Sequence, residues 1–152
     1  MLMLSTLAAL KFVDEKVLSV EFKEGDNQIA LQKLTMKFIS LQPFIPSGSN
    51  FEGSKKLFQE LGFKINWDAG DYIGFQRDEC KFILQKFDNR EFAENLMISV
   101  RVSNADEFWK EVKEKQLPEK LGFRMSDPAN QPYGREVNII DLAGVCWHFV
   151  QE

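Results

Sequence analysis

Leu61-Gly62-Phe63-Lys64 returns later in the chain as Leu121-Gly122-Phe123-Arg124. These two tetrapeptides decide the fold, because what surrounds the first also surrounds the second. Ahead of each lies an apolar stripe at helical spacing. Ser54, Leu57, Phe58 and Leu61 stand at i, i+3, i+4 and i+7, and Ala105, Phe108, Trp109 and Val112 repeat the pattern. Ahead of each stripe runs an alternating, strand-like segment, residues 38–45 and 97–103. Behind each come shorter alternating segments separated by turn residues: 63–67, 72–76 and 81–87 in the first copy, 123–125, 135–140 and 145–150 in the second. Asn50 is placed to cap a helix over 50–61 that Gly62 closes. Ser103 or Asn104 caps its counterpart over 105–117, which Pro118 ends. Asp141-Leu142-Ala143-Gly144 makes the last hairpin, with Gly144 at positive φ. The repetition predicts an α+β fold of two βαβββ modules, 36–88 and 97–152, joined by a charged linker, whose mixed sheet cups a cleft. Aromatic residues on the helix stripes read as core.

Residues 1–35 stand outside the duplication as an N-terminal extension. Alternation over 17–22 and 28–34 about Glu24-Gly25-Asp26-Asn27 reads as a hairpin, which adds edge strands, serves as a dimer arm, or is a leader. The apolar start, Met1 to Leu10, has no Lys or Arg before it, and Asp14 and Glu15 follow. No apolar run approaches the ~18 residues needed to cross a bilayer. A cytoplasmic protein without a membrane partner is expected.

The chain has 152 residues, 44% hydrophobic and 28% charged, with a formal charge of −4. That is long enough for one domain, or two small modules sharing a core. It carries no basic stripe, which argues against nucleic acid. Cys80 and Cys146 lie in strand-like runs without metal spacing and read as small apolar residues in a reducing compartment, with a disulfide as the alternative. There is no P-loop, no GxGxxG and no zinc-type cluster, so no cofactor is expected.

Two longer stretches carry a resemblance. Pro43-Phe44-Ile45-Pro46, followed by Ser54-Lys55-Lys56-Leu57-Phe58-Gln59-Glu60-Leu61-Gly62-Phe63, resembles the opening of bleomycin-resistance proteins in the glyoxalase/bleomycin-resistance/dioxygenase (vicinal oxygen chelate) superfamily. Pro132-Tyr133-Gly134-Arg135-Glu136-Val137, with Asp141-Leu142-Ala143-Gly144-Val145-Cys146-Trp147-His148-Phe149, resembles its closing segment, with Leu142 where that family has proline. The resemblance covers residues 36–152. It implies paired βαβββ modules around one cleft and, in many members, a homodimer.

Enzymes of that superfamily hold a metal at four positions on the first and last strands of the modules. Reading the repeats in register places Gln42, Gln85, Met97 and His148 there, with Ile39, Leu41 and Ile45 turned toward the helices. Two amides, a thioether and one imidazole bring no negative charge to a divalent ion, so no metal is expected. His148, the only histidine, reads either as a ligand contact or general base, or as a half-buried side chain satisfied by a neighbour such as Gln85. Phe44, Trp67, Phe87, Ser99, Arg101, Tyr133 and Arg135 complete the candidate cleft, an aromatic slot with polar anchors. Arg101 and Arg135 could hold an anionic group or pair with Glu136. Three readings follow: a metal-free protein of bleomycin-resistance type that sequesters a small organic ligand; a superfamily lyase, isomerase or dioxygenase with an altered metal site; or an interaction module whose cleft its own side chains fill.

Overall fold

The computed structural model describes residues 9–11, 19–21 and 36–152. The chain divides into two compact units, Met1–Ile39 and Ser40–Glu152. In the first, β1 (Ala9–Lys11) pairs antiparallel with β2 (Ser19–Glu21), Leu10 opposite Val20. The alternating run at 17–22 therefore finds its partner upstream. The expected partner at 28–34, with its Gly25 turn, lies outside the described residues.

The second unit opens with β3 (Phe44–Pro46), shorter than the expected strand at 38–45. Pairing begins where Ile83 N–H donates to Pro43 O at 2.9 Å. Pro43 has no N–H to give the ladder, which suits the residue at a strand's end. Ile39 and Leu41, expected to face the helices, are instead 93% and 91% exposed. Helix α1 (Phe51–Glu60) follows, its start fixed by Asn50, whose Oδ1 accepts the Gly53 N–H at 2.9 Å. Its stripe is buried as the spacing predicts: Ser54, Leu57, Phe58 and Leu61 face the core. Ser54 Oγ donates to Ser47 O at 2.8 Å, so the one polar member of the stripe is satisfied. Gly62, at φ 87°, makes the reversal that a side chain would resist.

The chain then lays down β4 (Lys64–Asp68), β5 (Tyr72–Arg77) and β6 (Cys80–Gln85). The linker contains a short helix that the sequence pattern does not announce, α2 (Arg90–Asn95), capped by Asn89 and anchored by buried Ala93. In the second module β7 (Met97–Val102) leads to α3 (Ala105–Glu114), capped by Asn104, whose Oδ1 accepts the Glu107 N–H at 3.0 Å. This helix stops before Pro118. Gln116 turns left-handed at φ 55°, and Pro118 sits in the first turn of a further helix, α4 (Leu117–Leu121). A first-turn proline loses no hydrogen bond, so here it begins a helix instead of ending one. Then come β8 (Arg124–Met125), β9 (Ala129–Gln131), β10 (Gly134–Ile140) and β11 (Cys146–Gln151).

The two sheets repeat one topology. Their orders are β3-β6-β5-β4 and β7-β11-β10-β8, with β9 added on β10. In each, the first strand runs parallel to the last, and all other pairs are antiparallel. A parallel pairing needs a crossover, and α1 and α3 lie on those crossovers. The sheets' helix-side residues share a single core. Phe58 packs between Phe63, Phe75 and Phe82 of its own module and Trp147 of the other, with centroids 4.7–6.2 Å apart. Each sheet turns its other face away from that core.

Candidate functional site

Strand alternation fixes what the open faces present. In the first sheet Ile45, Ile73, Phe75, Phe82 and Leu84 are buried on the helix side. The intervening residues therefore face out, and the register sets Phe44 beside Ile83, Gly74 between Ile83 and Trp67, and Gln85 opposite Tyr72. Three aromatic side chains surround this patch, Phe44 54%, Trp67 43% and Tyr72 40% exposed. Phe44 and Tyr72 meet edge to face with centroids 6.1 Å apart. Trp67 lies across Gly74: a Cβ added there would stand 2.2 Å from the indole Nε1. Glycine at this point lets the indole lie down on the sheet. Gly74→Ala is therefore expected to lift Trp67 off the face and to cost about 1–3 kcal/mol, read as a lower Tm together with a shifted tryptophan emission.

The second sheet's open face is polar. Val137, Ile139, Trp147 and Phe149 go to the core, leaving exposed Ser99 and half-buried His148 and Asn138 in a row between Met97–Cys146–Ile140 and Arg101–Val150–Glu136. Glu136 is the residue that sequence reasoning underrated. Only 3% exposed, its carboxylate accepts from Tyr133 OH at 3.2 Å and Asn138 Nδ2 at 3.3 Å, and His148 Nδ1 stands 3.4 Å from Oε2. His148 Nε2 then stands 3.4 Å from Cys146 Sγ. Of the readings open to His148, the one that satisfies it by a neighbour such as Gln85 finds other neighbours here, Glu136 and Cys146. A carboxylate on one ring nitrogen orients the imidazole and leaves the other nitrogen for a second partner. Burial first, and then Glu136 and Asp141, pushes the Cys146 thiol up from its ordinary value, and desolvation followed by Glu136 does the same to the Tyr133 phenol. Asn138 Oδ1 is buried with no hydrogen-bond partner among the described residues.

The remaining candidates spread out. Gln42 precedes β3 and bonds Ser40 Oγ at 3.2 Å. Phe87 follows β6 and packs against Phe92 of α2 at 6.1 Å. Arg101 lies 3.9 Å from Glu152 at the edge of its sheet. Arg135 leaves the site altogether: it shares the helix-side phase of Val137, and its Nη2 donates to Asp106 Oδ1 on α3 at 2.7 Å. That guanidinium holds the Asp106 carboxyl below its ordinary range. Both cysteines are free and half-buried, so the disulfide alternative falls.

The set Gln42, Gln85, Met97 and His148 does not suit a divalent ion, since two amides, a thioether and an imidazole bring it no negative charge. Among the described residues no group of three or more His, Cys, Asp or Glu could hold a metal ion. No helix of the described residues is long and apolar enough to cross a membrane.

With this geometry the chain matches solved structures. A bleomycin-binding protein from bleomycin-producing Streptomyces verticillus, complexed with copper(II)-bleomycin, superposes at TM-score 0.65 and 21% identity, over 78% of this chain and 99% of that one. The fold is that of the bleomycin-binding proteins. A bleomycin resistance determinant encoded on transposon Tn5 matches at TM-score 0.62 and 19% identity, over 76% and 98% of the two chains. A fosfomycin resistance protein from Mesorhizobium loti matches at 0.57 and 14%, over 78% and 94%. Neither a protein-family model nor a curated protein matches the sequence. The α+β duplication expected from the doubled Leu-Gly-Phe is thus the fold these resistance proteins share.

Proposed function

We propose that the protein sequesters a small organic molecule, without a metal and without changing it chemically, in a cleft completed by a second copy of the chain in the cytoplasm. The observation that carries this reading is the exposed trio Phe44, Trp67 and Tyr72 around Gly74 and Gln85. Aromatic residues clustered on one sheet face, with an amide between them, suit a flat ligand that stacks and makes a few hydrogen bonds. The polar face of the second sheet, with His148 held by Glu136, offers complementary donors and acceptors. Met97 at 69% exposure and the outer strands β3 and β7 favour a partner chain over bare solvent. Neighbouring structures are of proteins that bind bleomycin, which supports small-molecule binding on this fold; the drug itself does not carry over to this chain.

The line Cys146–His148–Glu136 favours a second reading, a thiol enzyme in which His148 takes the Cys146 proton. The raised thiol pKa weighs against it, because the nucleophile is the thiolate.

A thermal-shift screen of planar and amphipathic organic compounds tests the leading reading. At least one compound is expected to raise the wild-type Tm by several degrees and leave the Trp67→Ala/Tyr72→Ala variant unmoved. Compounds that stabilise both proteins equally, or none that stabilise the wild type, would overturn it.

A further inference from the structure

A cavity of about 430 Å³ lies where the β5–β6 turn meets the end of β7 and the first turns of α3. Neither the aromatic trio nor His148 lines it, and of the candidate cleft residues Arg101 alone reaches it, from the sheet edge. Its volume falls in the range of small-molecule pockets, about 300–1,000 Å³. The floor is apolar: Val100, Val102 and Phe63, with Phe108 and Phe149 stacked at 4.2 Å. The rim is acidic. Asp78 and Glu79 project from the turn, and Glu107 and Glu111 from the helix opposite.

Two guanidiniums, Arg77 and Arg101, also line it, and both are engaged. Arg77 Nη2 pairs with Glu111 at 3.3 Å, and Arg101 lies toward Glu152. Asp78, Glu79 and Glu107 form no ion pair among the described residues. The lining thus holds four carboxylates against two guanidiniums, and that excess of negative charge around a low-dielectric floor focuses negative potential into the opening. A neutral or anionic apolar molecule would fill the floor and leave that potential unmet.

We propose that this cavity binds an amphipathic amine, its aromatic or short aliphatic body on the valine and phenylalanine floor and its ammonium among Asp78, Glu79 and Glu107. The site is independent of the open-face cleft, so either assignment can fail without the other. Cys80 lines the cavity, while Cys146 lies on the open face of the second sheet, and both are free, half-buried thiols. They serve as probe and internal control.

The experiment follows N-ethylmaleimide alkylation of each cysteine by peptide mass spectrometry in the intact chain, with 4-phenylbutylamine or 4-phenylbutyrate added. The amine is expected to slow labelling of Cys80 saturably, by about five-fold at four-fifths occupancy, and to leave Cys146 unchanged. The carboxylate of the same body should protect neither. Glu79→Gln/Glu107→Gln, both exposed positions, should abolish protection while leaving the melting temperature within a degree or two. Amide NMR shifts at Val102, Ser103 and Asn104 give a second readout with the same expectations. No protection and no shifts, equal protection by the carboxylate, equal slowing at both cysteines, or protection that survives the double variant would each overturn the proposal.

Discussion

Asp141→Ala is expected to lower the stability of the protein by about 3–5 kcal/mol, among the largest single-site losses in the chain. Asp141 is 7% exposed. Its Oδ1 accepts backbone N–H groups of Ala143, Gly144 and Val145 at 2.9–3.0 Å, and Oδ2 accepts Trp147 Nε1 at 2.9 Å. Alanine would leave the Ala143 and Val145 N–H groups and the Trp147 indole N–H without acceptors where β10 turns into β11, while the Gly144 N–H keeps the Asp141 backbone carbonyl at 3.2 Å. Burial pushes the Asp141 carboxyl up from its ordinary value, while those four N–H groups pull the other way. Asp141→Asn keeps the shape but turns an NH2 toward donors, so it should recover only part of the loss. Urea denaturation of the three proteins checks this. A change below about 1 kcal/mol for Asp141→Ala would mean that the carboxylate does not organise the turn.

Phe58→Ala should cost about 3–5 kcal/mol by removing a buried ring. The site cannot collapse easily, because four other aromatic rings define its walls and one of them, Trp147, belongs to the other module. The effect should therefore reach both halves of the duplication. Calorimetry is expected to show one transition, shifted down as a whole. A variant in which residues 97–152 keep their original melting temperature would show that the two modules are separate folding units.

The parts of this fold governed by near neighbours along the chain are legible from the amino-acid sequence alone. The stripes Ser54–Leu57–Phe58 and Ala105–Phe108–Val112 need only helical periodicity, and the caps Asn50 and Asn104 need only local hydrogen bonding. Pro118 misleads because a proline is compatible with either end of a helix, and the left-handed Gln116 that separates α3 from α4 leaves no mark in composition. Helix α2 escapes notice because it buries only Ala93, too little to create a stripe.

Of the candidate site, the aromatic face of the first sheet is visible in Phe44 and Trp67. The pivotal Glu136 does not stand out in the sequence, although a signal exists. Arg135, Val137 and Ile139 share one phase, and Glu136 and Asn138 share the other. Counting outward from the Asp141–Gly144 turn brings Asn138 opposite His148 and Glu136 diagonal to it. Arg135 reads as a cleft residue because sequence does not reveal that Asp106, on a different element, claims it. The acidic cavity lies beyond reach for the same reason, since its walls come from a turn, a strand end and a helix far apart in the chain.

Native mass spectrometry of the protein, isolated from its own cells under non-denaturing conditions, tests whether two copies of the chain hold a small organic molecule on the aromatic face. A dimer carrying an additional organic mass of a few hundred daltons per chain is expected. That mass should be absent from the Trp67→Ala/Tyr72→Ala variant prepared in the same way. A bare monomer, or a bound compound retained equally by the variant, would contradict it.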